Sequence, residues 1–127
     1  MRLLFICSRN RLRSPTAEQV FAGVCGIETS SAGTSPDAEE QITSELIEWA
    51  DMILVMEPHH RTKLVRQFGK LIRGKRMACL GIPDDYGYMD ADLIQLLWER
   101  VPLSVPMLSA GRVEKKPDES KSEEGIG

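Results

Sequence analysis

The sequence predicts an α/β fold: a four-stranded parallel sheet with helices on both faces, in a Rossmann-like three-layer arrangement. Three observations predict it. Short apolar runs of strand length alternate with longer segments of helical periodicity, the mark of a parallel sheet covered on both sides. Two of the strand runs, Leu3 to Ile6 and Met52–Met56, are continuous in apolar residues, as strands buried on both faces are. A chain of 127 residues, 42% of them hydrophobic, can bury one core of ordinary size.

Each element has its own signal. Leu3–Cys7 reads as the first strand. Ser14 is a good N-cap and Pro15 suits the first helical position. Ala17, Val20, Phe21 and Val24 then repeat at helical spacing, giving a helix over Pro15–Cys25. Residues 28–32 form the second strand, ending at Gly33. A short helix from about Thr43 to Ala50 buries Leu46 and Ile47, and Met52–Met56 is a central strand. Pro58 opens a helix through Phe68, with Gly69 as its C-terminal cap. Arg76–Leu80 is the fourth strand, and Gly81-Ile82-Pro83 begins a loop at the sheet's C-terminal edge. Asp90 caps a last helix with Leu93, Ile94, Leu97 and Val101 on one face.

The segment Cys7-Ser8-Arg9-Asn10-Arg11-Leu12-Arg13-Ser14 joins the first strand to the first helix. Amides of a tight turn and the orphan N–H groups of a helix N-terminus together make an anion cradle. Ser8, Arg9, Arg11 and Leu12 supply its backbone, and Arg13 offers a planar fork for two phosphate oxygens. The same positive field favours the thiolate of Cys7, the nucleophilic form. Ser14 is placed to donate its hydroxyl to that sulfur. Asn10 tolerates left-handed backbone and can brace the loop through its amide. In open α/β sheets ligands sit beyond the C-terminal strand ends, where Cys7 and Asp84 both fall.

The bland readings are equally explicit. Asp84 and Asp85 follow Pro83 as turn residues. His59 and His60 point in different directions from a first helical turn, with no carboxylate or thiol at ligand spacing, and are expected to face solvent. Cys25 and Cys79 read as small core residues, Trp49 and Trp98 as core aromatics. The three cysteines form no CxxC pair and no metal cluster; an odd number points to a reducing cytoplasm. The net charge of −3 gives no drive toward nucleic acid or membrane. The N-terminal apolar run is too short for a signal peptide or membrane span. From Ser109 onward apolar residues nearly vanish. Four cations (Arg112, Lys115, Lys116, Lys121) mix with five anions (Glu114, Asp118, Glu119, Glu123, Glu124), so 1–108 is expected to be the domain and 109–127 a disordered charged tail.

The Cys-x5-Arg-Ser loop resembles that of the low-molecular-weight protein tyrosine phosphatase family. The likeness continues in Ser31-Ala32-Gly33-Thr34, in Asp51-Met52-Ile53-Leu54-Val55-Met56-Glu57, in Asp84-Asp85-Tyr86 and in Asp90-Ala91-Asp92-Leu93, spanning residue 2 to about residue 101. It implies the phosphatase I-like fold and a cytoplasmic phosphatase acting through phosphocysteine, with no cofactor and no metal. Cys7 is then the nucleophile, Arg13 the phosphate clamp, Ser14 the thiolate stabiliser and Asn10 the loop brace. Asp84 is the general acid with Asp85 beside it, and Tyr86 is the aromatic wall of the substrate cleft. Departures are plain: Arg9 replaces a glycine, Leu12 a second loop cysteine, and Asp85 a proline. The stretch from Thr34 to Ile42 is short, lacking a helix and the loop that supplies a second aromatic wall.

The expected substrate is a phosphorylated protein or small phosphomonoester, phosphotyrosine by family likeness; the oligomeric state is not written in the sequence. Arg11, a cation at the mouth, argues against a phosphoarginine substrate, and Arg9 with Arg11 favours acidic surroundings of the phosphosite. Two rivals stand beside this reading. An arsenate reductase-like thiol enzyme needs further cysteines within reach of Cys7, and Cys25 sits a helix length away, roughly 15 Å at 1.5 Å per residue. A non-catalytic phosphate- or phosphoprotein-binding module is the other.

Overall fold

The structure is a computed structural model, and it describes residues 1–108. The charged tail expected at 109–127 lies outside the described residues. Four strands, β1 (Arg2–Cys7), β2 (Glu28–Gly33), β3 (Met52–Val55) and β4 (Arg76–Cys79), form one parallel sheet in the order β2-β1-β3-β4. Helices α1 (Arg13–Ala22), α2 (Ser44–Trp49), α3 (Pro58–Arg73) and α4 (Ala91–Ser104) connect and follow them, with a final 3₁₀ turn at Pro106–Leu108.

Alternation along β1 divides the core. Leu3, Phe5 and Cys7 face α1 and α4, meeting Ala17, Phe21, Leu93, Leu97 and Val101. Leu4 and Ile6 face α2 and α3, meeting Ile47, Leu64 and Ile72. Leu3 to Ile6 are completely buried, each worth about 1.5–3 kcal/mol relative to exposure, which is why this short run is a strand and nothing else. Phe21 stacks on Phe5 at 5.9 Å between ring centroids and meets Trp98 at 4.6 Å in a tilted arrangement, so Trp98, partly buried, packs on the core. Among the described residues no helix is long and apolar enough to cross a membrane.

Several expectations are corrected. The first helix starts at Arg13 and stops at Ala22, with Leu12 as N-cap, so Ser14 lies inside the first turn and its hydroxyl is free for another partner. α3 does not stop at Gly69. It kinks at Phe68 (φ −124, ψ 19) and runs on to Arg73, because Leu71 and Ile72 continue the apolar stripe and pack on the sheet. Gly74 then caps it. His60 is wholly buried rather than solvent-facing, and Cys25 and Cys79 are exposed rather than core. Cys79 ends the edge strand β4, and Cys25 lies in the loop after α1, so neither is covered.

The chain runs from β1 outward to β2 and returns across β1 to β3. Connections therefore leave β1 and β3 in opposite directions, opening a crevice above their C-terminal ends. Met56 N–H donates to Ile6 O at 3.0 Å, carrying the pairing one residue past β3 and fixing Glu57 beside the loop after Cys7.

Candidate active site

The Cys7–Arg13 loop wraps a cavity of about 420 Å³ lined by Cys7, Ser8, Arg9, Arg11, Leu12, Arg13 and Asp84. Cys7 is buried at its floor. Its sulfur receives the Asn10 backbone N–H at 3.2 Å and lies 3.0 Å from Ser14 Oγ. Ser14 Oγ in turn accepts from the Asn10 side-chain amide at 3.0 Å, so the Ser14 proton is left to point at sulfur.

Asn10 holds this arrangement together. Its φ of 58 lies in the left-handed region that asparagine tolerates, which turns its N–H back onto Cys7. The second amide hydrogen reaches Ser31 Oγ at 2.9 Å, and Ser31 donates to Glu18 Oε1 at 2.5 Å. Each donor along this run of hydrogen bonds has an acceptor, and the run ends in two donors on one sulfur. Arg9, standing where a glycine is usual, does not take positive φ; the strain falls on Asn10 alone within the loop.

Arg13 is 3% exposed. Its Nη1 donates to Glu57 Oε1 at 2.7 Å and to the Ile82 carbonyl at 2.8 Å. Those bonds use one guanidinium nitrogen fully and leave Nε and Nη2 as the fork for an anion, with Asp84 Oδ1 3.7 Å from Nε. The hydrogen bond from Arg13 holds the Glu57 carboxyl below the usual carboxylate range. Sequence reasoning missed Glu57, and also His60, Ser31 and Glu18. None has a signal in its spacing from Cys7; strand pairing brings in Ser31, Glu57 and His60, and α1 carries Glu18.

His60 sits behind the loop. Its Nδ1 accepts the Glu57 backbone N–H at 3.0 Å, and its Nε2 is 2.9 Å from Ser8 Oγ. Burial pushes its pKa down to about 3, so the ring is neutral. Glu57, His59 and His60 bring three ligand-type atoms within 4.8 Å of one another. Both His60 nitrogens and Glu57 Oε1 are already engaged, and the Arg13 cation on that oxygen opposes a second cation there.

The 35–41 segment lies behind the loop. Ser35 N–H donates to Ser8 O and Glu39 N–H to Arg9 O, tying it to the back of the loop. A Cβ at Gly33 would lie 2.5 Å from Ser8 O and 2.6 Å from the Ala38 Cβ, so this close approach requires glycine. The segment carries acids: Asp37 is 4.0 Å from Arg9 and Glu39 3.4 Å from Arg11. Both loop cations are thus partly neutralised, which weakens the expectation of acidic surroundings and the argument against a cationic leaving group.

Asp84 lines the cavity, whereas Asp85 is exposed outside it. Tyr86 is half-buried, packs against the α1–α4 side of the core and is not among the residues lining this cavity. The first core cluster offers Tyr86 apolar neighbours, and Leu12, 38% exposed, is the large apolar side chain that lines the cavity.

No family model matches the chain. By sequence it is 29% identical over 97 residues to a protein-arginine-phosphatase of Bacillus subtilis (strain 168), a match spanning 55% of this chain and 65% of that protein, just under two thirds of its length. By structure it is similar to the YwlE arginine phosphatase from Geobacillus stearothermophilus (TM-score 0.65, 22% identity, 89% of this chain and 99% of that one). It is similar as well to the tyrosine phosphatase Wzb from Escherichia coli K30 in complex with phosphate (TM-score 0.65, 24% identity, 86% and 96%). The tyrosine phosphatase amsI of Erwinia amylovora matches with TM-score 0.66 at 24% identity over 85% of this chain and 93% of that one. The fold is the α/β fold of the low-molecular-weight phosphatases, and the resemblance read from the sequence is borne out.

Proposed function

We propose that residues 1–108 form a phosphatase that hydrolyses phosphotyrosine or related aryl phosphomonoesters through a phosphocysteine. The observation that carries it is the Cys7 sulfur, held by two hydrogen-bond donors at the floor of a cavity with Arg13 on its wall.

In this reading Arg13 Nε and Nη2, with donors of the Ser8–Leu12 turn, hold the equatorial phosphate oxygens. The Cys7 sulfur attacks phosphorus, the bond from phosphorus to the leaving oxygen breaks, and Asp84 gives that oxygen its proton. Asp84 then takes a proton from water as the water oxygen attacks phosphorus. The sulfur–phosphorus bond breaks, phosphate leaves and the thiolate returns. The positive field of Arg13 and the turn serves the charge stabilisation that phosphoryl transfer demands. Unbridged thiols at Cys7, Cys25 and Cys79 suit a cytoplasmic setting.

A second reading, a phosphoarginine substrate, is favoured by the Arg11–Glu39 pair at 3.4 Å, which lowers the cost of a guanidinium at the mouth, and by the named relative. An arsenate-reducing relay fits poorly. In register with Val55, Cys79 lies on the α2–α3 side of the sheet, whereas Cys7 faces α1 and α4. Steady-state turnover of an aryl phosphate, a phosphotyrosine peptide and a phosphoarginine peptide tests these readings together. The first two should be turned over and lost in Cys7→Ser. Exclusive turnover of phosphoarginine would move the substrate to the second reading, and none of the three being turned over would leave a binding module.

A further inference from the structure

We propose that His60 is a positioning residue of the cradle: its imidazole, fixed in one tautomer, makes the Ser8 hydroxyl a donor aimed at the bound anion. This rests on the reading above that the cradle takes a phosphate.

The protons on these groups fix the direction of each bond. The Glu57 backbone N–H can only donate, so the His60 Nδ1 that receives it at 3.0 Å carries no hydrogen. A neutral imidazole has one ring proton, which must then sit on Nε2. Nε2 lies 2.9 Å from Ser8 Oγ, so the serine oxygen is the acceptor of that bond. Its own proton has to go elsewhere. Among the described residues no second partner for Ser8 Oγ is present, and Ser8 lines the cavity above Cys7. The hydroxyl proton therefore faces the anion site.

The direction of the bond matters because a phosphate is rich in acceptors and holds few protons. A serine presenting a lone pair would repel it, and a freely turning hydroxyl would lose rotor freedom on binding. A buried imidazole held neutral removes both costs in advance. The Glu57 N–H that fixes the tautomer belongs to the same residue that grips Arg13. One backbone position thereby sets the Ser8 donor and the Arg13 fork together.

Two measurements test this. The first is the tautomer itself, read from long-range proton–nitrogen correlations of the His60 ring in the wild-type protein. A pyridine-like Nδ1 with a pyrrole-like Nε2 is expected, and the opposite assignment overturns the proposal even if every variant fails to fold. The second is a double-mutant cycle on competitive inhibition by inorganic phosphate. Ser8→Ala should weaken phosphate about tenfold beside His60, the size expected for a hydrogen bond to a charged group. Beside His60→Phe, Ser8→Ala should cost at most about threefold. His60→Gln, which keeps an N–H near Ser8, should recover most of the affinity lost in His60→Phe. Additive losses would make His60 a packing residue and overturn the proposal while leaving wild-type turnover intact. A wild-type protein that binds no phosphate would retire the phosphatase reading as well, so the two failures are told apart.

Discussion

The two walls of the cradle differ in how the chain builds them. One wall, Cys7 to Ser14, is a single stretch whose residues act on one another within seven positions: Asn10 and Ser14 on Cys7. The other, Glu57 with His60, lies 44 to 52 residues away and acts only through the first, on Arg13 and Ser8. The near wall lines the cavity, and the far wall decides which atoms of the near wall are free to meet a ligand there. Local spacing can carry chemistry, but the aiming of that chemistry comes from strand pairing.

The comparison breaks most readily at the near wall. Cys7→Ser should bring aryl-phosphate turnover to background, because an alcohol held in the same place stays protonated near neutral pH; surviving turnover would remove the covalent mechanism. Arg13→Ala should cost at least about a hundredfold in kcat/KM, the usual loss on removing one preorganised charge-stabilising group. The far wall should matter less. Glu57→Gln keeps the shape and loosens the grip on Arg13, so a loss near tenfold is expected, in keeping with a hydrogen bond between charged groups. Glu57→Gln equalling Arg13→Ala would erase the distinction between the walls.

Asp84→Asn should divide substrates by leaving group: strong loss with poor ones, little with an activated phenol that needs no protonation. Asp85→Asn should be mild on both, since Asp85 stands outside the cavity. Exchanged behaviour would give the acid to Asp85.

The smallest effect is on stability against pH. His60 titrates near 3 when folded and near 6.5 when unfolded, so folding favours its neutral form. Above pH 6.5 neither state holds the extra proton. As pH falls from 6.5 toward 3 the unfolded chain takes it up and the folded one does not, so stability declines across that window. Glu57, with its pKa lowered from 4.5, adds its own loss only at the acid end, as pH falls below 4.5. Melting temperature followed from pH 6.5 to 5 thus isolates His60, and His60→Gln should flatten that part of the curve. An unchanged slope would mean that His60 is not held neutral.

Much of the fold was legible because its signals are local. The apolar runs at Leu3 and Met52, the Asp90 cap and the stripe of Leu93, Leu97 and Val101 each say what they are without reference to distant residues. Cys7, Arg13, Ser14 and Asn10 were legible for the same reason. His60 read as a surface residue because periodicity near a helix start cannot show that β1 and β3 pair and carry Glu57 against the loop. Cys79 read as core because no local pattern tells an edge strand from a central one. Tyr86 is placed in the cleft by likeness alone, and its packing against the α1–α4 core is a contact that no local pattern marks.

The most direct test of the central claim is to catch the intermediate. Enzyme mixed with an excess of an activated aryl phosphate, quenched within a turnover and digested, should yield a peptide carrying one phosphoryl group on the Cys7 sulfur, absent from Cys7→Ser. Steady hydrolysis with no phosphoryl group on Cys7, or with the label on another residue, would contradict the account.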